Sequence, residues 1–271
     1  MPVNPRPSLP ILMYHSVSDD PGGRNGRPLT VTPGTFAEHV AYLDGEGFSG
    51  HSVRELVEAL DGRAELGPKP VVLTFDDAYR DFHTDALPVL RHHGFSATVY
   101  VTTGYIGSAT NPLTGDRRHH RPVLSLEQLR ELVAAGIECG AHSHTHPQLD
   151  DVSPARLEDE VRRPKEVLED ALQTPVLTFA YPYGYHDQAA KDAVAAAGYS
   201  AACRVGNLAC EPGDDRFALP RLTVRSRTDV RRLGRLVRRS PSTLGRVRAG
   251  SKDELWRLVR RHSWLGEGSA A

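Results

Sequence analysis

Four short polar clusters in this 271-residue chain could do chemistry: His15, Asp76-Asp77, His142 to His146, and Pro182-Tyr183-Gly184. His142 and His146 are separated by three residues, a spacing that puts two imidazoles on one face of a helical turn, as zinc ligands require. His144 lies between them and would point elsewhere, as a contact behind the ligands or with substrate. Two imidazoles plus one carboxylate leave a coordination position open, which suits a catalytic rather than a structural zinc site. Asp76 and Asp77 end the apolar run Leu73-Thr74-Phe75, and adjacent side chains at a strand end are aimed differently as the chain turns. One can then bind a metal while the other faces substrate, although either alone could equally cap a following helix. Cys139 precedes His142 by three residues, but inside an apolar strand a buried thiol is the plainer reading. Pro182 and Gly184 form a turn that can present a backbone N–H to an oxyanion, a weak signal by itself.

These clusters fall where strands should end. Short β-rich runs at 10–14, 71–75, 97–101, 137–141, 176–180, 200–203 and 218–224 alternate with helix-period segments at 35–43, 53–60, 86–92, 126–135, 154–172 and 187–196. Ser125 with Gln128 is a helix start signal, and Gly94, Gly136 and Gly198 are stop signals. Such alternation predicts parallel strands joined by crossover helices. In a β/α barrel the four clusters, each following a different strand, open onto the single face formed by the C-terminal strand ends. The irregular stretch 105–122 is long enough to be a functional loop or a solvated surface one.

Composition bounds the answer without choosing it. Hydrophobic residues make up 39% and charged residues 25%, as in a folded globular protein. Cys139, Cys203 and Cys210 are odd in number and form no Cys-x-x-Cys pair, so neither a disulfide framework nor a cysteine zinc site is expected. No run approaches the roughly 20 apolar residues of a membrane span, and 1–14 lacks a signal-peptide core, which predicts a cytoplasmic location. Net charge is -1, yet Arg231, Arg232, Arg235, Arg238, Arg239 and further basic residues crowd the C-terminal end. Residues 1–225 are therefore expected to form a catalytic barrel and 226–271 an Arg-rich helical extension. That extension could make weak contact with an anionic surface, including the periphery of a membrane, while nucleic acid is not an expected partner.

Taken in order, the motifs resemble those of the polysaccharide deacetylases of carbohydrate esterase family four, the nodulation-type deacetylase fold. Thr74-Phe75-Asp76-Asp77 is similar to the first motif, His142-Ser143-His144-Thr145-His146-Pro147 to the second, and Tyr181-Pro182-Tyr183-Gly184 to the end of the third. The resemblance implies an α/β fold, a distorted (β/α) barrel of about seven parallel strands with its active site at their C-terminal ends. It implies one divalent metal ion held by Asp77, His142 and His146, with Asp76 as general base and the Tyr183 amide as oxyanion donor. Zinc is expected, and cobalt, nickel and manganese accept the same nitrogen and oxygen ligands.

Two departures matter. The family's third motif commonly begins with Arg where this chain has Ala180, and the C-terminal Leu-x-x-His that carries the general acid has no counterpart. The opening Leu12-Met13-Tyr14-His15 is similar to that of the poly-N-acetylglucosamine deacetylase branch, so His15 is assigned as the acid, against a simple rim hydrogen bond. Arg221, in Leu219-Pro220-Arg221-Leu222, is the candidate to replace the missing Arg by orienting Asp76, with a surface ion pair as the alternative. The activity implied is metal-dependent removal of N-acetyl groups from an N-acetylglucosamine-type poly- or oligosaccharide or glycoconjugate, releasing acetate. A deacylase of a small-molecule ester or non-sugar amide would share the site. The third reading is a non-catalytic glycan- or nucleic-acid-binding barrel, against which the complete Asp76, Asp77, His142 and His146 set weighs.

Overall fold

Ten strands and seven α-helices follow from the alternation of apolar runs and capped segments in the computed structural model, which describes residues 8–20, 27–109 and 121–238. They are β1 (Ile11–Tyr14), β2 (Ser16–Val17), β3 (Thr30–Val31), α1 (Pro33–Gly45), β4 (Ser49–His51), α2 (Val53–Leu60), β5 (Pro70–Phe75) and α3 (Leu87–His92). There follow β6 (Thr98–Val101), α4 (Leu126–Ala134), β7 (Glu138–Ala141), α5 (Pro154–Leu172), β8 (Thr178–Ala180), α6 (Gln188–Ala196), β9 (Ala201–Val205), β10 (Leu219–Thr223) and α7 (Val230–Val237). The expected capping box is present: Gln128 N–H donates to Ser125 Oγ at 3.2 Å, and Ser125 N–H to Gln128 Oε1 at 3.0 Å.

The sheet runs β1-β10-β9-β8-β7-β6-β5 and closes because β1 also pairs with β5, Leu12 opposite Leu73 and Tyr14 opposite Phe75. Seven parallel strands thus form the ring of a distorted (β/α) barrel. β4, too short and Gly-containing to read from sequence, is an added strand: Val72 pairs with both Ile11 and His51, so β1 and β4 flank β5. β2 and β3 form a separate two-stranded pair beside the barrel mouth.

The strand period of two divides the core. Ile11, Val72, Tyr100, Ala180, Ala201, Cys203 and Leu219 pack in one cluster with Val53, Leu56 and Val57 of α2. Leu12, Tyr14, Leu73, Phe75, Val99 and Phe179 face the helices in the larger cluster. At the base of the barrel the buried Glu138 carboxylate accepts from Thr98 Oγ1 and Thr178 Oγ1, each at 2.6 Å, and from Arg54 N–H at 2.8 Å. The polar clusters read from the sequence lie at the opposite, C-terminal ends of the strands. α7 is held by Leu233 and Val237, which join the core, and by Gly234, where a Cβ would stand 2.5 Å from the Tyr42 hydroxyl. Most of the expected basic extension, 239–271, and the middle of the expected long loop, 110–120, lie outside the described residues. Among the described residues no helix is long and apolar enough to cross a membrane.

Candidate active site

The C-terminal strand ends surround a cleft of about 510 Å³ lined by Met13, His15, Asp76, Asp77, His142, His146, Tyr183, Thr223, Arg121 and Arg225, among others. All four clusters expected from sequence meet there. The turns that deliver them depart from ordinary backbone geometry: Asp77, Ala78, Ser143, His146 and Tyr183 have φ of 71°, 50°, 61°, 63° and 59°. Left-handed conformations at non-glycine residues cost free energy and gather where side chains must be aimed at a ligand.

Asp77, His142 and His146 each offer one ligand atom, all within 4.8 Å of one another. The Nε2 atoms of His142 and His146 lie 3.7 and 3.5 Å from Asp77 Oδ1. His142 Nδ1 lies 2.7 Å from the Ala180 carbonyl, so it carries the proton and leaves the Nε2 lone pair facing Asp77. Burial, partly opposed by the Asp76 charge, pushes the His142 and His146 imidazoles down to about 4, so both are neutral near pH 7. Asp77 Oδ1 is buried and has no hydrogen-bond partner, a costly arrangement for a carboxylate that a cation would relieve. Two neutral imidazoles and an orphaned carboxylate oxygen fit a divalent ion with nitrogen and oxygen ligands.

Asp76 is turned the other way. Its carboxylate accepts from Arg221 Nη1 at 2.6 Å and Nη2 at 2.7 Å, and Nη1 also donates to Thr74 Oγ1 at 3.1 Å. Arg221 has no exposed surface, and its guanidinium lies 5.5 Å from the Tyr100 ring centroid. It forms a buried bidentate pair, not a surface one. Burial raises the proton affinity of Asp76, but the Arg221 charge, assisted by His142, outweighs it and holds the carboxyl well below the usual range. His15, half-buried after β1, lines the same cleft, and its Nδ1 has no hydrogen-bond partner. The Tyr183 ring stands edge-on to His146 with centroids 4.6 Å apart.

His144 does not line the cleft; its Nδ1 lies 2.9 Å from Thr103 Oγ1. Cys139 is buried between β7 and α4, and desolvation pushes its thiol up to about 12, too high for a ready thiolate. Three contributors escaped the sequence reading. Glu160 on α5, 3% exposed, accepts from His144 N–H at 2.9 Å, Thr145 N–H at 2.7 Å and Thr145 Oγ1. Ser143 Oγ accepts from His146 N–H at 2.8 Å. Arg121 lines the cleft as the chain returns to Val123, which bridges to Tyr79. An isolated Glu in a helix or Arg in a loop carries no periodic signal, and only His144-Thr145 beside a buried helix could have hinted at Glu160.

The polysaccharide deacetylase family matches residues 63–202. The Bacillus subtilis protein YxkH, whose name places it among polysaccharide deacetylases, is 28% identical over 216 residues, 80% of this chain and 71% of its own length. A poly-beta-1,6-N-acetyl-D-glucosamine N-deacetylase of Staphylococcus epidermidis is 22% identical over 213 residues, 75% of this chain and 71% of its own length. Among solved structures, the Streptococcus pyogenes deacetylase PplD in complex with acetate superposes with a TM-score of 0.76 at 26% identity, covering 87% of this chain and 100% of that one.

Proposed function

The chain belongs to the polysaccharide deacetylase family, and from that premise we propose that it is a metal-dependent hydrolase. It removes N-acetyl groups from an N-acetylglucosamine-type poly- or oligosaccharide or glycoconjugate and releases acetate. The observation that carries this reading is the division of labour between neighbours: Asp77 joins His142 and His146, while Asp76 is held ionised by Arg221.

Asp77 Oδ1, His142 Nε2 and His146 Nε2 would hold the ion. Bound there, a divalent cation supplies Lewis acidity to the acyl carbonyl and lowers the pKa of a bound water. Asp76, ionised at neutral pH, accepts the proton of the attacking water. The Arg221 pair keeps that carboxylate in one orientation while leaving lone pairs on both oxygens for the water. The Tyr183 N–H, in a turn fixed by Pro182 and a left-handed backbone, donates to the developing oxyanion. His15 donates a proton to the departing amine, from a ring whose Nδ1 makes no competing bond. The carbonyl carbon gains the water oxygen, its bond to the amine nitrogen breaks, and acetate and the free amine result.

The test is acetate release from N-acetylglucosamine oligomers by the metal-loaded protein, with and without chelator. Asp76→Asn should abolish turnover while metal content stays at wild-type level. Near-normal turnover by Asp76→Asn on every acetylated substrate tried would overturn the mechanism.

A further inference from the structure

Two arginines lie in the cleft, and the chemistry above uses neither. Arg121 is 5% exposed, as buried as the ligands themselves, and lines the same cavity as Asp77 and His146. Its Nη2 donates to the Asp20 carbonyl at 2.9 Å and to Thr30 Oγ1 at 2.7 Å, and its guanidinium lies 5.4 Å from the Tyr79 ring centroid. Those contacts fix its position, but every partner is neutral. Its Nε is buried without an acceptor, and its Nη1 donors meet none among the described residues. Arg225, exposed just beyond β10, lines the cleft as well. Among the described residues no carboxylate forms an ion pair with either one, whereas buried Arg221 is fully matched by Asp76.

Burying a guanidinium without a carboxylate in contact is costly. Among the described residues the other charges offset these two only in part: Asp76 is already neutralised by Arg221, Asp77 faces the ion site with His142 and His146, and Asp81, which feels the Arg121 charge, is taken up by Ser16 Oγ and Val17 N–H. A cleft for an uncharged acetylated sugar needs hydroxyl and amide partners, not two unmatched cations. We propose that Arg121 and Arg225 form a subsite for an anionic group, a carboxylate or a phosphate, carried by the acetylated substrate near the scissile amide. This rests on the deacetylase reading above and narrows its substrate class to anionic glycans. Arg121, pre-positioned by Thr30 and Tyr79, supplies directed N–H donors to two acceptor oxygens; Arg225 adds charge at the entrance.

The experiment compares three β-1,4-linked tetrasaccharides on the metal-loaded protein. One is neutral tetra-N-acetylglucosamine, one carries 3-O-lactyl carboxylates on alternate sugars, and one carries a phosphate monoester. Acetate release gives kcat/KM, and calorimetry gives affinity independently of turnover. At low salt one anionic oligomer should exceed the neutral one by about tenfold or more in either readout, and the excess should shrink as salt rises. In Arg225→Met and Arg121→Lys the ratio of anionic to neutral should fall toward one. Because Arg121→Lys also alters the contacts to Asp20 and Thr30, Arg225→Met, at an exposed position, is the variant that keeps the test independent of folding. Equal kcat/KM and equal affinity for all three oligomers overturn the subsite and leave the deacetylase reading standing. Absence of acetate from all three, with tighter binding of an anionic oligomer that Arg225→Met abolishes, sinks the deacetylase reading and retains the subsite.

Discussion

Arg221 and Asp76 meet face to face inside the barrel, Nη1 to Oδ1 at 2.6 Å and Nη2 to Oδ2 at 2.7 Å, across 145 residues of sequence. Neither is more than 4% exposed at its side chain. One pair therefore links the last barrel strand to the β5 end, sets the orientation of the proposed base and fixes its charge.

Replacing Arg221 by Met leaves that carboxylate buried without a partner. The expected loss of stability is about 3–5 kcal/mol, measured by denaturant unfolding, against a smaller loss for Arg221→Lys. The proton affinity of Asp76 rises, so the acidic limb of the pH–rate profile moves to higher pH in the variant. In the wild type the depressed Asp76 pKa contributes stability above the unfolded value near 4, and that contribution is lost as pH falls toward the folded value. An unchanged acidic limb in Arg221→Lys and Arg221→Met would deny Asp76 the role of base.

Metal removal is predicted to be reversible and pH-dependent. Chelation abolishes acetate release, and adding zinc, cobalt, nickel or manganese restores it to differing degrees. With the His142 and His146 imidazoles near 4 in the metal-free site, protons compete little at pH 7. The apparent dissociation constant, followed by calorimetry, should weaken steeply as pH approaches 4 and below. The metal-free fold also loses stability as pH falls from about 6.5 toward 4, because the unfolded chain takes up those protons first. Asp77→Asn and His142→Ala should each remove the bound ion.

His15 is testable through the leaving group. An amine departs only with a proton, whereas an activated aryl alcohol departs without one. His15→Ala should therefore lower turnover of N-acetyl substrates by about 10²-fold or more and that of an aryl acetate by far less. Equal losses on both would remove His15 from the acid role.

Asp81 gives a pH effect of opposite sign. It accepts from Ser16 Oγ at 2.5 Å and Val17 N–H at 3.1 Å, tying the small β2–β3 pair to the end of the first motif. Burial outweighs these bonds and raises its carboxyl to about 6. The folded state thus holds the proton more tightly than the unfolded one. Stability from this group is full below pH 4 and is lost as pH rises through 6, on the order of 1–2 kcal/mol after allowance for its partial exposure. Asp81→Asn, which preserves shape, should remove that pH-dependent fall from the unfolding profile, so that the difference between wild type and variant changes between about pH 4 and 6.

Strand ends were legible because buried parallel strands read as apolar runs, and Asp76-Asp77 and His142 to His146 interrupt polarity where such runs stop. Parallel pairing then forces convergence on one face, so the gathering of four distant clusters needed no contact information. β4 was illegible because Ser49-Gly50-His51 has neither length nor apolar alternation, and it forms only because β5 offers it an edge. The buried pairing of Arg221 stayed open between two readings because exposure is a tertiary property; one Arg between Pro220 and Leu222 looks the same in either case. Arg121 follows a stretch without periodicity, and nothing in its neighbours marks it as a cleft residue.

Glu160 shows how far such unmarked residues can govern the site. From α5 it gathers His144 N–H, Thr145 N–H and the Thr145 hydroxyl, and so clamps the segment between His142 and His146, whose backbone is left-handed at Ser143 and His146. A loop in that conformation relaxes when its acceptor is removed. Glu160→Gln replaces one acceptor oxygen by a donor facing backbone N–H groups, so it should loosen the loop without changing its volume. Since supporting contacts of this kind typically contribute 10- to 100-fold in metal affinity, the expected result is a dissociation constant raised by about tenfold. Excess metal should recover most of kcat. A purely structural role predicts the reverse: lower unfolding free energy, unchanged metal affinity, and no recovery of turnover on adding metal.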